Sequence, residues 1–135
     1  MTGKSEYFGE HLLIDAYGAN RDALWDKELI RQCLKDLCGL LGVKILCKPV
    51  VTFTQDGELK VSGGVTGVVV LAESHISIHA FPSRRFLSAD VYSCKHGMDQ
   101  EAVKQFFVSK FGVDLGNCEI RFIRRGTRYP AENIA

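Results

Sequence analysis

Apolar residues recur along this chain with two different periods. Between residues 22 and 41, Ile30, Cys33, Leu34, Leu37, Cys38 and Leu41 fall at i, i+3, i+4, i+7, i+8 and i+11. That is one face of a 3.6-residue repeat and predicts a helix over 22–41. Gly42 suits the left-handed position just past its end. A second helix is predicted over 99–111, with Val103, Phe106, Phe107 and Phe111 on its apolar face. Asp99 can cap it, Met98 and Val103 can staple across the cap, and Gly112 ends it.

The remaining apolar stretches are short and bounded by turn residues, which reads as strands. His11 to Tyr17 is the first, closed by Gly18. Val43 to Cys47 and Val50 to Thr54 follow, separated by Pro49. Asp56-Gly57 is a turn signal from which Leu59 to Ser62 would return. Gly63-Gly64 breaks the pattern before Val65 to Leu71. Ile76 to Phe81 is stopped by Pro82 and the Arg84-Arg85 pair. Phe86 to Cys94 and Glu119 to Ile123 complete the set, and the tail from Arg124 reads as irregular.

The order β-α-β-β-β-β-α-β, with mostly hairpin-linked strands, predicts an α+β fold. It is a two-layer sandwich in which two helices cover one face of a mostly antiparallel sheet. Residues 1–135 are expected to form a single domain. The uncovered face would be half polar, and such a face commonly pairs with another subunit or hosts a site.

Charge removes several function classes. Lys and Arg number 17 against 16 Asp and Glu, a net charge of +1. Nucleic acid or a membrane surface bound through charge calls for a strong basic excess. The longest aliphatic run, Val68 to Ala72, is far short of the roughly 20 residues of a spanning helix. The polar N-terminus has no signal-peptide character, so cytoplasmic residence is expected. Five cysteines at 33, 38, 47, 94 and 118 form no Cys-x-x-Cys pair, which excludes a disulfide framework or zinc knuckle as the organising principle. Cys33 and Cys38 lie on the helix's apolar face and read as small buried hydrophobes.

The unusual polar residues lie between 65 and 94. On an extended strand His75, Ser77 and His79 share one face while Ile76 and Ile78 take the other. An exposed antiparallel face is polar by rule, so this row alone carries no function. A zinc reading of His75, His79 and Cys94 lacks the standard ligand spacing, and no metal is expected.

The same residues carry a family resemblance. Glu73-Ser74-His75-Ile76-Ser77-Ile78-His79 resembles the processing motif of the S-adenosylmethionine decarboxylase proenzymes of the small prokaryotic class. Ala89-Asp90-Val91-Tyr92-Ser93-Cys94 is similar to that family's second motif, and Gly64-Val65-Thr66-Gly67 to its Gly-Val-Ser-Gly segment. His11 to Gly18 resembles its N-terminal strand. The resemblance runs from about residue 8 to 125.

It implies that the chain makes its own cofactor. Ser74 Oγ would attack the Glu73 carbonyl and turn the amide into an ester. Loss of the Ser74 Cα proton would eliminate the ester, and hydrolysis would leave a pyruvoyl group. The products would be a β chain, 1–73, and an α chain, 74–135, which stay together because strands from each share one sheet. The ketone then forms a Schiff base with the substrate amine and acts as an electron sink as carbon dioxide leaves. By the same resemblance His79 moves the proton in processing, Cys94 is the proton donor in decarboxylation, and Glu73 and Thr66 support processing. The substrate would be S-adenosylmethionine, the product the aminopropyl donor for spermidine biosynthesis, and the assembly a homodimer of αβ units.

Two positions depart from the family pattern. Ser83 stands where the family usually has a glutamate understood to bind ribose, and Lys60 where it commonly has an aromatic. A serine offers no bidentate carboxylate to a diol. Phe53 and Phe81 are candidates for the missing ring, and Ser83 for a hydroxyl contact. Both departures touch substrate recognition and neither touches pyruvoyl formation. Two other readings therefore stand beside the first. One keeps the fold and cofactor and decarboxylates arginine or ornithine. The other is an uncleaved paralogue that binds or regulates without catalysis.

Overall fold

The computed structural model describes residues 7–55 and 63–128. Six strands form one antiparallel sheet: β1 (Gly9–Tyr17), β2 (Val50–Thr54), β3 (Gly64–Leu71), β4 (Ser74–Phe81), β5 (Phe86–Ser93) and β6 (Cys118–Arg125). Their spatial order is β2-β3-β4-β5-β1-β6. The chain thus builds β2 to β5 as successive neighbours, and β1 fills the gap between β5 and β6.

Alternation along each strand decides the layers. Leu12 and Ile14, Val65 and Val69, Ile76 and Ile78, and Leu87 and Val91 point into the core. There they meet Ile30, Leu34 and Leu37 of one helix and Val103, Phe107 and Phe111 of another in a single apolar cluster. The expected two-layer α+β sandwich is the observed one. Gly67 marks a close approach of the layers. A Cβ there would lie 3.0 Å from both Ile30 Cγ2 and Leu34 Cδ1.

The expected helix over 22–41 is two helices, α1 (Arg21–Trp25) and α2 (Lys27–Leu41). Asp26 divides them. It takes an extended conformation and its carboxylate accepts from Leu29 N at 3.0 Å, so it caps α2 instead of continuing α1. Gly42 ends α2 in the left-handed region, as its position predicts. The helix α3 (Gln100–Phe111) is capped by Asp99 and ended by Gly112.

Val43 to Cys47 is not a strand. It makes one isolated bridge, Ile45 to Leu71, with backbone bonds from Leu46 N to Val70 O and from Ala72 N to Lys44 O. Its register with β3 is spent there, before Pro49 and the start of β2. The Asp56-Gly57 turn, the return over 59–62 and Lys60 lie outside the described residues.

Candidate active site

The β3–β4 hairpin turns in two residues, Ala72 and Glu73. Glu73 has φ +69°, a left-handed conformation that the second position of such turns reserves for Gly or Asn. For a glutamate it costs on the order of 1–2 kcal/mol, so the turn stores strain at its last peptide. Ser74 opens β4 directly after it. Its Oγ is the one buried side-chain polar atom without a hydrogen-bond partner among the described residues. Cys94, just past the end of β5, directs its thiol to the Glu73 carbonyl oxygen at 3.0 Å. A strained peptide, an unengaged hydroxyl and a thiol on the peptide's oxygen therefore meet at one backbone bond.

The core thiols are of another kind, and burial makes them harder to ionise. It pushes Cys33 up to about 11 and also raises Cys38 and Cys118, as structural cysteines do. Cys94 is half-buried and keeps a polar partner.

His79 lies elsewhere. Five residues beyond Ser74 on the same strand, it is about 16 Å away at roughly 3.3 Å per residue. It stands opposite Thr66, with the hydroxyl 3.3 Å from Nδ1. The alternation that carries Ile76, Ile78 and Ala80 into the core leaves His75, Ser77, His79 and Phe81 on the open face. One chain thus presents two partial constellations, Glu73-Ser74-Cys94 and Thr66-His79.

The open face also carries a polar cluster. Asp90 of β5 accepts from His11 Nε2 at 2.6 Å, from His75 Nε2 at 3.0 Å and from Ser77 Oγ. Burial would raise its carboxyl, but the hydrogen bonds from Ser77, His11 and His75 outweigh that and hold it below the usual range. The His11, His75 and Asp90 ligand atoms lie within 4.8 Å of one another, close enough for a metal set. The donor directions argue otherwise. Arg125 donates to His11 Nδ1 at 2.9 Å, so His11 carries its proton on Nε2, toward Asp90. A metal-bound imidazole would instead present Nδ1–H outward to an acceptor. The arrangement is a hydrogen-bond relay from β6 to β4, with Tyr92 packed against both histidines and under the Arg125 guanidinium.

The candidate substrate residues divide. Phe81 stacks on Phe86 at 5.8 Å, on the same face as His79. Ser83 is exposed in the short turn Pro82–Arg84. Phe53 shares the parity of buried Val51 and packs against Trp25 and Lys27, on the helix side of the sheet. It cannot supply a ring to the open face of its own chain. Sequence reasoning missed His11, Glu10 and Arg125 as site neighbours. His11 alternates correctly on its strand, but only the insertion of β1 beside β5 brings it to Asp90.

A sequence profile described as S-adenosylmethionine decarboxylase matches residues 10–126. The chain belongs to the S-adenosylmethionine decarboxylase family. An S-adenosylmethionine decarboxylase proenzyme of Clostridium botulinum (strain Langeland) is 31% identical over 121 residues, 90% of this chain and 97% of the relative. One from Methanococcus maripaludis (strain C5) is 36% identical over 119 residues, 87% and 89%. The crystal structure of the adenosylmethionine decarboxylase from Aquifex aeolicus superposes with a TM-score of 0.68 at 26% identity, covering 90% of this chain and 93% of that one. Family membership thus agrees with the fold expected from the strand and helix order.

Proposed function

We propose that this chain cuts itself between Glu73 and Ser74 and that the product decarboxylates S-adenosylmethionine at a site completed by a second copy. Membership of the family makes it a pyruvoyl-dependent lyase acting on that substrate. The observation that carries the self-cleavage is the contact of the Cys94 thiol with the carbonyl oxygen of left-handed Glu73.

The steps follow from the chain's own groups. Ser74 Oγ attacks the Glu73 carbonyl carbon, and the Cys94 thiol meets the charge that develops on its oxygen. The C–N bond breaks, the hydroxyl proton passes to the Ser74 nitrogen, and an ester joins the two segments. Removal of the Ser74 Cα proton expels the Glu73 carboxylate. Hydrolysis at position 74 then releases ammonia. The residues present fit the resulting pyruvoyl group, since Ser74 has an unengaged hydroxyl and an acid stands over the bond to be broken. Once formed, that group supplies a carbonyl for the substrate amine and takes up the electron pair as carbon dioxide departs. Cys94 Sγ holds the proton for the carbon that loses carboxylate, and Phe81 and Ser83 line the substrate.

His79 is the base for the Cα proton, oriented by Thr66. It lies too far from the Ser74 of its own chain, which favours a homodimer whose open faces meet. Exposed Val50, Val70, Ile123 and Tyr17 lie on that face beside its polar rows and would be covered. Among the described residues no helix is long and apolar enough to cross a membrane. A diffusible metabolite as substrate favours the cytoplasm.

Intact mass, a hydrazine carbonyl trap and carbon dioxide release from S-adenosylmethionine, arginine and ornithine test this together. Two chains, a labelled α chain and release from S-adenosylmethionine alone are expected. One uncleaved chain would leave the non-catalytic reading. Release only from an amino acid would move the substrate.

A further inference from the structure

Glu10 and Ser93 are the buried polar side chains of the described fold, 3% and 4% exposed. They are direct partners in the β1–β5 ladder. A buried carboxylate is costly unless donors surround it. The backbone donors these two side chains capture lie in the four residues that follow Cys94. Glu10 Oε2 accepts from Gly97 N at 3.0 Å and Oε1 from Met98 N at 2.9 Å. Ser93 Oγ accepts from Lys95 N at 3.0 Å. Gly97 has φ +86°, which lets its N–H and the next converge on one carboxylate.

The clamp has a second arm. Tyr7 donates its hydroxyl to Glu10 at 2.7 Å, and its ring stacks on His96 at 4.3 Å. Lys95 reaches back to the Leu41 and Gly42 carbonyls at the end of α2. Burial would raise the Glu10 carboxyl, yet the bonds from Tyr7, Met98 and Gly97 hold it below the ordinary range, so it is charged at neutral pH. A charge held by its neighbours at such a site has a use, and the residue its contacts flank is Cys94.

We infer that Glu10 is a positioning residue for Cys94: by holding residues 95–98 it fixes the thiol against the reacting carbonyl. The inference rests on the reading of Cys94 as proton donor.

Glu10→Gln, Ser93→Ala and Cys94→Ala are compared after self-cleavage. The readouts are intact mass, folded fraction, kcat and KM for S-adenosylmethionine, and the rate of Cys94 alkylation by iodoacetamide followed by peptide mass. Glu10→Gln keeps a near-identical shape but turns an amide N–H toward a backbone N–H. It should cleave and keep its KM while kcat falls about 10- to 100-fold, the scale of a slightly misplaced group. Cys94 should alkylate severalfold faster. Ser93→Ala should move both readouts the same way but less. Wild-type kcat and alkylation in both variants would overturn the inference. So would a loss that merely tracks folded fraction, including failure of Glu10→Gln to fold while Ser93→Ala behaves as wild type. Undiminished turnover by Cys94→Ala would instead defeat the proton-donor reading, and this inference with it.

Discussion

The thiol of Cys94 lies 3.0 Å from the carbonyl oxygen of Glu73, joining the residue after β5 to the turn before β4. Cys94→Ala should therefore slow self-cleavage without abolishing it, because Ser74 and the strained turn remain. Decarboxylation should fall further, by about 10²–10⁴-fold, the range for a lost general acid. Time-resolved intact mass and single-turnover carbon dioxide release separate the two effects. Slower cleavage with undiminished carbon dioxide release from the cleaved fraction would assign Cys94 to processing alone.

Glu73 occupies a backbone region that suits glycine. Glu73→Gly in a Ser74→Ala background should raise stability by about 1 kcal/mol in urea unfolding, as left-handed strain is relieved. With Ser74 intact the same substitution should slow cleavage. An unchanged cleavage rate would show that the strain is not used.

Ser74 and His79 stand at opposite ends of β4. Ser74→Ala and His79→Ala should each remain uncleaved or nearly so when expressed alone. Co-expressed, they should yield cleavage of the His79→Ala chain, whose Ser74 can meet a partner's histidine. Mass spectrometry identifies which chain is cut, and no cleavage in the mixture would confine each site to one chain. Thr66→Val removes the hydroxyl at Nδ1 and should slow cleavage, whereas Thr66→Ser should not.

Asp90 collects His11, His75 and Ser77. Asp90→Asn should cost about 2–3 kcal/mol, the scale of hydrogen bonds to a charged group. Acid should act in the same direction. Asp90 and Glu10 both have folded pKa values below their unfolded ones, so their stabilisation is complete above about pH 5. It disappears as the pH falls through the depressed values. Urea midpoints should fall from pH 6 toward pH 3, and Asp90→Asn should flatten that slope.

The fold was legible wherever a residue's role depended on its neighbours in sequence. Gly42 and Gly112 as helix ends, Asp99 as a cap and the alternation of Ile76 and Ile78 all came through. Asp26 did not, since an aspartate can sit within a helix or cap one, and its choice to cap is made by packing. The pairing of Ser74 with Cys94 was read through family resemblance, and the thiol's contact with Glu73 is geometric support for it. Phe53 could not be placed from sequence because the faces of β2 are told apart only by where α2 lies. His11 and Glu10 escaped notice because nothing local says which strand will lie beside β1.

The strand order has a consequence for the two pieces that a break before Ser74 would leave. The first would own β1, β2 and β3, and the second β4, β5 and β6. Yet β1 lies between β5 and β6, so the earlier piece threads a strand through the middle of the later one. Pulling them apart would unzip three ladders at once: β3 from β4, β5 from β1 and β1 from β6. The cut would therefore give the reacting residue a free end to move while the scaffold around it stays braided shut.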